Sequence, residues 1–117
     1  MDGASPWPWS EDLDGPVAAA GNHRVIFEND RVRVLDTRIP AGTTAPLHTH
    51  RRATASYVIS GSGFVRRDEH GETLLDTRSI DPPFAMPSIL WSDMTPAHTL
   101  ENIGSDDIHV IAVELKG

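Results

Sequence analysis

The segment GTTAPLHTHRRATASYVISG, Gly42 to Gly61, carries two histidines one residue apart, His48 and His50. In an extended strand, residues i and i+2 project from the same face. Both imidazoles can then approach one metal ion, with ring nitrogens ~2.0–2.1 Å from it. The pair alone is a weak signal, because six histidines in 117 residues produce such spacings by chance. Arg51 and Arg52 follow directly. If the strand stays extended, Arg52 shares a face with His50 and Thr54, where a guanidinium would grip a carboxylate through two parallel hydrogen bonds. The plain alternative is a solvated arginine pair at a bend. Tyr57 and Trp91 are candidates to line a pocket and equally good core residues.

The spacing around the pair is more informative than the pair itself. Gly42 is followed by five residues, then His48-Thr49-His50, three residues, Thr54, six residues and Gly61. This resembles the first motif of the cupin superfamily, G(X)5HXH(X)3–4E(X)6G, with Thr54 where the family usually has glutamate. Further on, PAHTLENIG supplies His98, three residues and Asn102. That resembles the end of the second cupin motif, G(X)5PXG(X)2H(X)3N. Its earlier part is degraded: Asp93 and Thr95 stand at the usual Pro and Gly positions, and Pro96 is displaced. The resemblance covers roughly residues 23 to 116.

It implies an all-β fold, an antiparallel double-stranded β-helix (jelly-roll) barrel preceded by an N-terminal arm. It also implies that His48, His50 and His98 meet at one divalent ion, whether Fe, Zn, Ni, Mn or Cu. Thr54 is not expected to ligate, because a neutral hydroxyl competes poorly with water. A three-histidine set leaves positions open for water, oxygen or substrate. Some cupin dioxygenases use three histidines without the glutamate, so an Fe(II)-type dioxygenase or an isomerase on a small polar molecule is the implied activity. The competing readings are a non-catalytic metal- or ligand-binding module and a metal-free relic with a water-filled pocket. Asn102 is expected to face inward and make a structural hydrogen bond. His23, His70 and His109 read as ordinary: one preceding a strand, one at a turn, one packed or on the surface.

The elements that would hold these residues are short. HRVIFEND and RVRVLDTRI read as a hairpin bending at END, with Val32, Val34 and Asp36 on one face and Arg31, Arg33 and Leu35 on the other. IPAGTTAP reads as a turn and ATASYVIS as a strand. FVRRDEHGETLLDTRS reads as a second hairpin with DEHGE at its tip. SILWSD, HTLENIG and IHVIAVEL complete the set. Strand signals recur about every ten residues with no amphipathic helix, the pattern of a sandwich or barrel. Residues 1–21, with three prolines and the tryptophans Trp7 and Trp9, read as an arm before a barrel domain at 22–117. The expectation is that WPW packs on this domain or on a partner subunit.

Composition narrows the function further. A net charge of −7 repels phosphate backbones, so nucleic acid is not an expected partner. No apolar run is long enough to cross a bilayer. The start is acidic and Pro-rich rather than basic and apolar, which reads as cytoplasmic. The absence of cysteine excludes disulfides, thiolate ligands and a Cys nucleophile. The expected partners are a small-molecule ligand or substrate and, because a small β domain has sheet edges to cover, a second copy in a homodimer.

Overall fold

The computed structural model describes residues 7–80 and 88–117. Among these, nine strands follow in order: β1 His23–Glu28, β2 Val32–Ile39, β3 Thr44–His50, β4 Thr54–Ser60, β5 Phe64–Arg67, β6 Thr73–Asp76, β7 Ser88–Ser92, β8 Thr95–Asn102 and β9 Ile108–Leu115. Turn chemistry sets the bends. Asn29 Oδ1 accepts from the backbone N–H groups of Arg31 and Val32 and closes β1 onto β2. At the tip of the β5–β6 hairpin, Asp68 Oδ1 accepts from His70 and Glu72, and Gly71 takes a φ of +84° that a side chain would resist. The expected turn before the histidines is shorter than IPAGTTAP, since β3 begins at Thr44.

The strands form two antiparallel sheets, β1-β2-β9-β4-β7 and β3-β8-β5-β6. Alternation along β2 falls as its sequence predicts: Leu35 and Ile39 are buried, and Asp36 lies on the opposite face, where it meets Arg24, Arg38 and His109. At one end of the interior, Ile39, Ala45 and Ile108 pack with Phe64, Leu100 and Val110. Further along the paired strands β3 and β8 come the histidines. His48 and His98 are direct cross-strand partners, and register shifts on β3 flank His48 on both sides. Irregularities of this kind re-aim side chains near functional sites.

The first six residues of the expected arm lie outside the described residues. Residues 7–21 hold a 3-10 turn, Glu11–Leu13, and the one-turn helix α1, Gly15–Ala18. A single turn is too short to leave a period in the sequence, which is why none is legible there. The arm runs along the edge of β3: Asp14 pairs with Thr49 in a parallel bridge, and α1 touches both β3 and β1. It therefore spans the open side between the two sheets at the level of the histidines. Trp7 and Trp9 meet edge to face, their ring centroids 4.9 Å apart. Trp9 Nε1 donates to Glu69, and the Arg51 guanidinium lies over Trp7, so WPW packs on its own barrel.

Candidate metal centre

Four imidazoles meet at the interior end of the arm. The His48 and His98 rings meet at a tilt of 55° with centroids 4.3 Å apart, and His50 lies 4.9 Å from His48 and 5.7 Å from His98. The fourth is His23, at 4.7 Å from His48 and 5.2 Å from His50. One ring nitrogen from each of His23, His48 and His50 lies within 4.8 Å of the others, a spacing that suits a shared ion. The sequence reading of His23 as an ordinary residue before a strand is thus corrected. It opens β1, on the other sheet from β3, and nothing in its local sequence announces that the arm turns it toward the pair.

Backbone carbonyls decide the protonation of three rings. His48 Nδ1 lies 2.6 Å from the Pro46 carbonyl, His98 Nδ1 2.7 Å from that of Pro96, and His23 Nδ1 3.1 Å from that of Ala19. A carbonyl only accepts, so each Nδ1 carries the hydrogen. Burial lowers the pKa of His23 to about 4, of His48 to about 2 and of His98 to about 3, with further lowering from neighbouring imidazoles. The three rings are therefore neutral at pH 7, and each Nε2 bears a lone pair. That is the tautomer a metal ion requires, fixed by outer hydrogen bonds. The displaced Pro96 finds its role here. Pro46-Leu47-His48 and Pro96-Ala97-His98 are the same local device, a carbonyl two residues back that orients the ring. The repeated Pro-x-His was the available signal.

His50 is oriented differently. Its Nδ1 faces the buried Glu114 carboxylate at 3.6 Å. Burial pushes the Glu114 carboxyl up, but His50 and Arg33 more than offset this and hold it below its usual value. Arg33 Nε donates to Glu114 at 2.6 Å, while its two terminal nitrogens donate to Asp14 at 2.9 and 3.1 Å. Glu114 sits on β9 directly opposite Thr54 on β4. The carboxylate nearest the family's glutamate position thus belongs to another strand, and it is committed to Arg33.

The other predicted residues separate into two groups. Thr54 is buried and lines the cavity, and its hydroxyl donates to the Arg52 carbonyl at 3.0 Å. Asn102 is buried, with Nδ2 donating to the carbonyls of Ile39 and Asp106 and Oδ1 accepting from Gly104, a structural clamp between strand ends. Tyr57, Trp91 and Arg52 do not line the cavity. Tyr57 and Trp91 stand on the outer face of the larger sheet, exposed by 44% and 58%. Arg52 lies at the rim, 3.8 Å from Glu114. The expectation for Arg52 rests on an extended strand through residues 50–54, but β3 ends at His50 and β4 begins at Thr54. For Tyr57 and Trp91 the register of β4 with β7 puts the opposite parity inside.

The cavity beside the histidines measures about 170 Å³. Thr54, Ser56 and Ser92 line it with the apolar side chains of Val58, Leu90 and Leu100. A two-sheet antiparallel barrel of this kind also describes several solved proteins. A cupin domain from Bordetella pertussis Tohama I superposes with a TM-score of 0.64 at 16% identity, covering 81% of this chain and 92% of that one. The fold is that of a cupin. An RmlC-like cupin from Methanocaldococcus jannaschii gives 0.57 at 16% identity over 80% of this chain and 77% of that one. A predicted oxalate decarboxylase from Thermotoga maritima gives 0.51 at 20% identity over the same shares. No family model and no curated protein matches the sequence. Within this cupin fold the donor set suits a divalent ion: neutral imidazoles with oriented rings, and no carboxylate in the cavity wall among the described residues.

Proposed function

We propose that this cupin is a small metalloenzyme. His48, His50 and His98 hold one divalent ion, His23 stands ready as a fourth imidazole, and a small molecule binds in the adjoining cavity. The observation that carries this reading is the orientation of the rings. Three separate backbone carbonyls take the Nδ1 hydrogens of His23, His48 and His98 and leave Nε2 lone pairs on neutral imidazoles, while ring nitrogens of His23, His48 and His50 lie within 4.8 Å of one another. Four buried or half-buried imidazoles are a costly way to build a core that apolar residues would fill more cheaply.

An ion held only by neutral ligands keeps its full charge and supplies a strong Lewis acid with open positions for substrate. The chain's own part is to hold the rings in one tautomer, to exclude bulk water by laying the arm across the open side, and to shape the cavity. With iron bound, the expected activity is that of a dioxygenase; with zinc, that of an isomerase. Elemental analysis of protein purified without added metal or chelator tests the reading. We expect close to one ion per chain, and sharply less in the His48→Ala, His50→Ala, His98→Ala triple variant. Equal occupancy in that variant would refute the site. A single His23→Ala exchange then reports whether the fourth imidazole contributes.

A further inference from the structure

Among the described residues, the cavity next to the histidines contains one charged side chain that the metal centre does not use. Arg66 lies on β5, opposite Leu100 on β8, and both line the cavity. Its neighbour Arg67, on the other face of the strand, pairs with Glu101. Arg66 has no such partner among the described residues. Its Nε is sealed from solvent with no hydrogen-bond acceptor, and among the described residues no carboxylate reaches it. Its guanidinium lies over the Phe64 ring, 5.7 Å from the centroid, and close enough to His98 to disfavour a proton there. Burial lowers its pKa, and no group among the described residues counters that. A half-buried cation without a counter-charge is expensive. It occurs in a chain with 17 acidic and 10 basic side chains, where a neutralising acid is easily supplied. Among the described residues, no Asp or Glu lines this cavity.

We infer that Arg66 is the anchor for a carboxylate on the ligand of this cavity, so that the site takes a small monocarboxylate with an apolar body. The inference rests on the cavity being the substrate site proposed above. A planar guanidinium fork matches a carboxylate through two parallel charge-assisted hydrogen bonds. Much of the remaining wall, with Ile39, Val58, Phe64 and Leu100, is apolar and suits a hydrocarbon body, and Thr54, Ser56 and Ser92 add hydroxyls to it. A cavity of about 170 Å³ is of the size that holds a single six-membered ring, since one of ~150 Å³ binds benzene. Arg52, the arginine the sequence singled out for this role, lies outside the cavity and close to Glu114. Arg66 takes its place because Phe64 and Arg66 share the inward face of β5.

The test uses benzoate and acetate as probes, with the neutral benzamide and acetamide as controls. Full-length ¹⁵N-labelled protein is titrated both zinc-loaded and after chelator treatment, following the Arg66 Nε–H resonance. We expect a carboxylate to move that resonance in both forms and its amide to leave it unmoved. Arg66→Met should weaken the carboxylate by roughly ten- to a hundredfold, the worth of a hydrogen-bonded charge pair. Should that variant fail to fold, the wild-type comparison of acid with amide decides alone. Equal binding of acid and amide, binding of neither acid, or wild-type carboxylate affinity in Arg66→Met overturns the inference. Failure of zinc to bind overturns the metal centre instead, and the chelator-treated arm still decides Arg66.

Discussion

Gly15 shows how tightly a single residue can be tied to the proposed metal centre. A Cβ built on it would lie 2.9 Å from Cε1 of His50, closer than real atoms approach. Gly15→Ala should push the His50 ring out of place. We expect metal affinity to fall about 10- to 100-fold, as when an outer contact of a ligand is disturbed. The fold should lose about 1–3 kcal/mol. Unchanged zinc affinity by calorimetry would show that the arm can yield. The three neutral histidines also make a pH prediction for metal-free protein. Their folded pKa values, about 4, 2 and 3, lie below the ordinary 6.5, so between those limits the unfolded chain binds more protons than the folded one. Stability is then full above pH 6.5 and is lost as pH falls toward the folded values. By pH 5.5 each ring should have cost on the order of 1 kcal/mol, a few kcal/mol together. Urea midpoints that stay flat from pH 7.5 to 5.5 would contradict this.

At the scale of elements, the arm is fastened to the barrel by ions rather than by a large apolar contact. Arg33 on β2 joins Asp14 of the arm to Glu114 of β9, and Glu114 faces His50. Glu114 is almost completely buried, so removing the Arg33 guanidinium takes away its hydrogen-bonded counter-charge and leaves only Arg52 at 3.8 Å and His50 at 3.6 Å. Arg33→Ala should cost about 3–5 kcal/mol in urea unfolding. Adding Glu114→Gln should recover part of that loss, because the uncompensated charge goes with it. A loss below about 1 kcal/mol, the range of exposed pairs, would show that the network does not hold the arm.

At the scale of the whole molecule, the outer face of the larger sheet is unexpectedly apolar. One row crosses all five strands by register, Trp91, Ala55, Val113, Val34 and Phe27, and the next begins with Ile89, Tyr57 and Ile111. Ile89, Trp91, Phe27 and Tyr57 are exposed by 71%, 58%, 55% and 44%. Half-exposed aromatic rings in contiguous rows amount to several hundred Å², comparable to one partner's share of a standard interface, ~800 Å². The second row ends in Asp36 and Arg24, an acid beside a base, so the face offers a second copy of itself both apolar surface and opposite charges. We expect a homodimer through this face. Light scattering should give twice the 12.8 kDa of one chain, and Trp91→Glu should return it to a single chain. A wild-type mass of one chain would reject the dimer. Because Trp7 and Trp9 pack on their own barrel, removing residues 1–21 should leave the dimer intact while disturbing His23, which loses the Ala19 carbonyl.

The sequence by itself determined the strands and one half of the site. Alternation and turn residues mark nearly every strand, because each needs only its own neighbours to show a buried face. The histidine motif is equally local on β3, where His48 and His50 lie two residues apart, and its match to His98 rests on a known spacing. What only tertiary structure decided are the meetings between distant segments. His23 joins the cluster because the arm crosses from one sheet to the other, and Glu114 reaches the neighbourhood of Thr54 because β9 pairs with β4. Arg66 rather than Arg52 lies in the cavity because register, and not sequence proximity to the histidines, sets which side chains face inward. A one-residue change of parity sends a side chain to the other face, and that parity is fixed by the partner strand.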